Sequence, residues 1–112
     1  MELFVVDGPD SGRSFSLTAQ SVIGRDPTAA VHLTDDEVSR RHAIISLAEG
    51  RPTIEDLGSV NGTHIGATRV QGEAPIQAGD QIKVGQTTLE LRELSGIDRD
   101  ELPITKTSLP TL

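Results

Sequence analysis

The stretch Val38-Ser39-Arg40-Arg41-His42-Ala43, "VSRRHA", gathers two arginines and a histidine behind a serine. An acidic run, Asp35-Asp36-Glu37, lies immediately upstream. The whole chain carries a formal net charge of -7 at pH 7, so this positive cluster is local. The acidic balance argues against broad binding to nucleic acid or to an anionic membrane, both of which need an extended basic face. A compact cluster of this kind can still hold one anionic group.

Working outward, the 112 residues suit a single domain with one hydrophobic core. Phe4 and Phe15 are the only aromatics, so Val, Ile, Leu and Ala must build that core. Cysteine is absent, which excludes disulfides and cysteine-based zinc sites. No cofactor is expected. No apolar run reaches the length of a membrane-spanning helix, so no membrane insertion is expected. The N-terminus, with Glu2 and only a short apolar run, lacks the pattern of a secretory signal. A cytoplasmic domain is expected, either alone or as the cytosolic part of a larger protein.

The apolar residues come in short groups broken by Gly, Pro, Asn or Asp, the pattern of strands and turns. "LFVVD", "RSFSLT", "SVIGR" and "AVHL" read as the first four strands. "AIISLAE" and "RPTIEDL" flank Glu49-Gly50 and predict a hairpin. "THIG" and "TRV" read as short and loop-like. "DQIKVG" and "QTTLELREL" flank Gly85 and predict a closing hairpin that ends near Arg92 or Glu93. No longer window carries a helical stripe. The fold class is therefore all-β, a sandwich or barrel. Residues 1–94 form the predicted domain. The polar stretch 95–112, with its prolines and threonines, reads as a flexible tail or linker.

Three turn-like segments adjoin strands: "IGRDP" (23–27), "VSRRHA" (38–43) and "DLGSVNGTHI" (56–65). In a sandwich, loops from distant strands gather at one end, so the three could build one site. Arg25, Arg40 and Arg41 bring cationic donors, and Ser39 brings a hydroxyl. Asn61 brings an amide that can donate and accept. Arginine, hydroxyl and backbone N–H groups suit a phosphate dianion.

In this order and spacing, Gly24-Arg25, Ser39-Arg40-Arg41-His42 and Asn61-Gly62-Thr63 resemble the signature of forkhead-associated (FHA) domains. The similarity runs from about Leu3 to about Leu94. It implies a β-sandwich of about eleven strands in two sheets, with binding loops at one end. It also implies a module that binds phosphothreonine peptides made by a Ser/Thr kinase. Residue by residue, Arg25, Ser39 and Arg40 would meet the phosphate or the backbone near it, and Asn61 would hold the peptide main chain. Gly24 and Gly62 would permit tight turns, His42 would brace the loops, and Thr63 would start the next strand. Many members place Thr before the Asn-Gly pair, where its hydroxyl reaches the phosphate. Here the residue is Val60, so its backbone N–H, or Ser59, would have to substitute. Arg41, like Val60, is an additional candidate contact, to which the resemblance assigns no definite role.

Other readings are weaker. Ser39, His42 and Asp56 could suggest nucleophilic catalysis, but no G-x-S-x-G elbow occurs. His32, His42 and His64 fit no common metal-ligand spacing. A phosphate-independent interaction domain of the same fold, or a regulatory domain of a larger protein, is the main rival. Asp26, Asp35 and Asp36 are expected at the rim of the site, where they would disfavour strongly acidic peptides. Thr105, Thr107 and Thr111 make the chain's own tail a second source of phosphothreonine.

Overall fold

A computed structural model describes residues 1–93. The expected boundary at residue 94 and the tail over 95–112, with its three threonines, lie outside the described residues.

Eleven strands run in order: β1 Glu2–Asp7, β2 Ser14–Ser16, β3 Gln20–Gly24, β4 Val31–His32, β5 Ala43–Ala48, β6 Arg51–Asp56, β7 Thr63–Ile65, β8 Thr68–Arg69, β9 Glu73–Pro75, β10 Gln81–Val84 and β11 Thr87–Arg92. There is no helix among the described residues. One sheet has six strands in the order β2-β1-β11-β10-β7-β8, and the other has five in the order β4-β3-β5-β6-β9. All pairings are antiparallel except β3 with β4.

Period-two alternation builds the core. Leu3 and Val5 of β1, Ile82 and Val84 of β10, and Leu89 and Leu91 of β11 are fully buried from the six-stranded sheet. Ile23, Ala43, Ile45 and Ile54 face them from the other. Each of the Val, Leu and Ile side chains among them contributes about 1.5–3 kcal/mol on burial, so a core nearly free of aromatics suffices. Phe4 and Phe15 are only part-buried, and each ring carries an arginine, Arg92 and Arg13 respectively, over its face.

The two predicted hairpins form. Ala48 pairs with Arg51 around Glu49-Gly50, which both take positive φ, as a tight two-residue turn requires. Val84 pairs with Thr87 around Gly85-Gln86, and β11 stops at Arg92. The segments read as loop-like, "THIG" and "TRV", instead pair as the short hairpin β7–β8. Their brevity hid the alternation. The edge strand β9 was not anticipated, because Glu73-Ala74-Pro75 has one small apolar side chain and a proline. Proline is tolerated on an edge strand, where its missing N–H goes unused.

Candidate functional site

The end of β3 and the loop before β5 run side by side. Backbone N–H groups of Arg25 and Asp26 donate to the carbonyls of Ser39 (3.2 Å) and Arg40 (3.1 Å), and that of His42 donates to Ile23 (2.8 Å). Gly24 makes this approach possible: a Cβ there would stand 1.9 Å from the Arg40 carbonyl oxygen. No side chain fits, so the glycine before Arg25 is a packing requirement. Arg25 is exposed, and its Nε donates to the Val38 carbonyl. That bond anchors the guanidinium at one corner and leaves its two terminal nitrogens without a partner among the described residues.

The 57–62 loop joins the same cluster. Val60 N–H donates to Ser39 Oγ at 3.1 Å, and Asn61 Nδ2 donates to the Glu37 carbonyl at 2.8 Å. His42 is fully buried beneath them. Its Nδ1 accepts the Ser39 N–H at 3.0 Å, so the proton sits on Nε2, which donates to the Gly62 carbonyl at 2.8 Å. One imidazole thus ties two loops together. Ser39 keeps its hydroxyl hydrogen unassigned among the described residues, and Asn61 keeps its side-chain oxygen. Arg25, Ser39, Arg40 and Asn61 are therefore gathered at one end of the sandwich.

Ser59 and Val60 differ from expectation. Ser59 gives its hydroxyl hydrogen to Asp56 Oδ1 and accepts the Gly62 N–H, so it has no hydrogen left for a phosphate. The Val60 N–H is already given to Ser39, so it does not stand in for the missing hydroxyl. The Val60 side chain is 86% exposed at the loop apex.

Asp56 organises this loop, a role the sequence reading did not give it. It accepts from the N–H groups of Gly58 and Ser59 and the hydroxyls of Ser59 and Thr63. Burial alone would raise its pKa, but these bonds outweigh that and hold it below the ordinary carboxylate value. Asp followed two and three residues on by Gly and Ser is an Asx-turn signal, and could have marked it. Thr63, buried, opens β7 as expected.

Of the acids expected at the rim, only Asp36 is exposed. Asp35 is 3% exposed and points inward, accepting from the Gln86 N–H and the Thr87 hydroxyl at 2.8 Å each, and from the Glu37 N–H. Its burial opposes ionisation, yet these bonds keep its pKa lowered. It welds the β10–β11 turn onto the 33–42 loop. Asp26 bonds the N–H and hydroxyl of Thr28, which lower its pKa with help from Arg40, whose guanidinium lies 3.4 Å away. Arg41 is exposed and makes no ion pair among the described residues. The same residues hold no cluster that could bind a metal ion.

A family model described as "FHA domain" matches residues 21–85, which include all three loop segments. The chain belongs to the FHA domain family. Its relatives include the FHA domain-containing protein FhaB of Mycobacterium tuberculosis, 37% identical over 91 residues, covering 80% of this chain and 59% of FhaB. The oxoglutarate dehydrogenase inhibitor of Corynebacterium glutamicum is 36% identical over 88 residues, covering 78% and 61%. This FHA domain thus spans about three-fifths of the length of those relatives. A solved structure described as an analysis of phosphothreonine-dependent FHA domain interactions superposes with a TM-score of 0.75 at 33% identity, covering 82% of this chain and 94% of that one. The Mycobacterium tuberculosis EmbR structure, in complex with a low-affinity phosphopeptide, superposes with a TM-score of 0.73 at 29% identity, covering 81% and 24%.

Proposed function

We propose that this FHA domain is a phosphothreonine-dependent interaction module that recognises a partner protein modified by a Ser/Thr kinase, and that it performs no chemistry of its own. The observation that carries this reading is the convergence of Arg25, Ser39, Arg40 and Asn61 on one loop cluster, joined by the hydrogen bonds of Ser39 and Asn61 across it. Arg25 aims its two terminal nitrogens at the phosphate. Ser39 donates its remaining hydroxyl hydrogen. Arg40 adds charge from the neighbouring turn, and Asn61 meets the peptide main chain. His42, Asp56, Ser59, Gly24 and Gly62 hold that arrangement in place.

Threonine carries no charge, whereas its phosphate carries close to two negative charges at neutral pH. Hydrogen bonds to charged groups contribute about 1.5–3 kcal/mol each, so two or three separate the bound from the unbound peptide. The readout is a switch set by modification of the partner. Phosphorylated Thr105, Thr107 or Thr111 of the domain's own chain presents the same chemistry. Exposed Arg25, Arg40 and Asn61, with half-buried Ser39 among them, favour an anionic ligand over a phosphate-independent partner.

The test is titration of a phosphothreonine peptide library against wild type, Arg25→Ala and Ser39→Ala. Removing either donor is expected to weaken binding by about 1.5–3 kcal/mol. Unchanged binding in both variants rejects the assignment. Kinase treatment followed by mass spectrometry and sizing tests the tail: modification without a change in size excludes self-recognition.

A further inference from the structure

Asn61 is the only asparagine in the chain, and a glycine follows it. Asparagine is a thermolabile residue. An Asn-Gly pair is the most exposed to that lability, because glycine has no side chain to shield its backbone nitrogen. The fold fixes both members of the pair. Gly62 has a φ of 85°, a conformation that side chains rarely adopt, and Asn61 ties its loop to the Glu37 carbonyl. The reactive pair is therefore built into the functional loop, with Asn61 exposed to water.

The same loop restrains both reacting groups. The Gly62 N–H donates to Ser59 Oγ at 2.9 Å, and Asn61 Nδ2 donates to the Glu37 carbonyl at 2.8 Å. Ser59 in turn gives its hydroxyl hydrogen to Asp56 Oδ1, which leaves its oxygen as a fixed acceptor for Gly62. Ring closure between Asn61 and Gly62 requires the Ser59 and Glu37 bonds to open.

We propose that Asn61 is a self-modification site whose reaction switches the module off, and that Ser59 is the guard that sets its rate. The Gly62 nitrogen attacks Asn61 Cγ. A bond forms between them, the Cγ–Nδ2 bond breaks, and Nδ2 leaves as ammonia with the proton of the Gly62 amide. Solvent water then opens the cyclic imide, adding hydroxyl to one carbonyl carbon and a proton to the nitrogen. Opening at Cγ gives aspartate, and opening at the main-chain carbonyl gives isoaspartate. Either product puts a carboxylate in place of the amide that donates to the Glu37 carbonyl, and so adds negative charge beside the phosphate position. Isoaspartate also lengthens the main chain just ahead of the Gly62 carbonyl that His42 holds at 2.8 Å. The loss of function rests on the phosphothreonine reading above, whereas the guard does not.

The test is incubation of the folded protein at mildly alkaline pH, with the amide-to-acid mass gain at Asn61 followed by peptide mapping. Wild type is compared with Ser59→Ala, with Ser59→Thr, which keeps the hydroxyl, and with Thr63→Val, which takes a different hydrogen bond from Asp56. Ser59→Ala should convert about 2- to 10-fold faster than wild type, the weight of one hydrogen bond. Ser59→Thr and Thr63→Val should stay close to wild type, and in urea all four should share one rate. The converted fraction, separated by ion exchange, should bind a phosphothreonine peptide at least about tenfold more weakly than the unconverted fraction. Equal rates for folded wild type and Ser59→Ala overturn the guard. So does an equal acceleration in Thr63→Val, which assigns it to a loosened loop, or a difference that persists in urea. Undiminished binding by the converted fraction, with the phosphorylated peptide still preferred over its unphosphorylated twin, overturns the switch and leaves the module reading standing. Absence of that preference in fresh wild type removes the module reading and the switch together.

Discussion

His42 Nε2 lies 2.8 Å from the carbonyl oxygen of Gly62, while its Nδ1 holds the Ser39 N–H. The residue that looks most reactive in the sequence is the buried tie between the loop carrying Ser39 and the loop carrying Asn61. Truncation would leave one acceptor and one donor without partners, at about 1–3 kcal/mol each for buried groups. His42→Ala is expected to lower stability by roughly 2–4 kcal/mol in denaturant unfolding. A change within about 0.5 kcal/mol, the range of ordinary surface substitutions, would show that the imidazole does not brace the loops.

Gly24 and the Arg40 carbonyl make a sharper demand. A Cβ at 1.9 Å from that oxygen cannot be accommodated without moving backbone. Gly24→Ala is expected to cost about 3 kcal/mol or more, at or above the upper range of overpacking. It should also displace the 38–42 loop and so weaken phosphopeptide binding in any folded fraction. Thermal unfolding indistinguishable from wild type would contradict the close approach.

Asp35 and Asp56 give the fold an acid dependence with a definite sign. Hydrogen bonds outweigh burial in each, so the folded pKa lies below the unfolded value. The unfolded chain then binds more protons in that interval, and stability rises with pH there. The contribution is complete above the unfolded value of about 3.9 and is lost as pH falls through the lowered folded values. Urea midpoints measured from neutral pH down to about pH 3 should fall on the acid side, and Asp35→Asn with Asp56→Asn should flatten that fall. A midpoint unchanged by acid would refute it.

Val60 stands at the loop apex with its N–H given to Ser39, so this position offers a phosphate nothing. Val60→Thr supplies a hydroxyl there. The expected gain is about 3- to 10-fold in phosphopeptide affinity, below the full 1.5–3 kcal/mol of a charge-assisted bond because the position is exposed. Calorimetry that finds equal or weaker binding would show that the hydroxyl does not reach the phosphate.

The all-β class and the two Gly-turn hairpins were legible in the sequence because alternation over five or six residues is a strong local signal. Strands β7, β8 and β9 were not, because two or three residues carry no readable period and their pairing is decided by the sheet. The site shows the same division. The order and spacing of the motifs point to Arg25, Ser39, Arg40 and Asn61, whose loops the structure brings together. In sequence Ser59 looks like a donor to a ligand, although its hydroxyl belongs to Asp56, since a serine in a turn looks alike in either role. In sequence Asp35 looks like a rim charge, although it is buried through contacts with Gln86 and Thr87, some fifty residues away in sequence. No local pattern announces such a partner.

The most direct test of the central claim is a calorimetric titration of wild-type protein with one library-selected phosphothreonine peptide and with its unphosphorylated twin. Two or three charge-assisted bonds, at about 1.5–3 kcal/mol each, predict that the phosphorylated peptide binds tighter by about a hundredfold or more. Equal affinity for the two peptides would contradict a phosphothreonine-gated module.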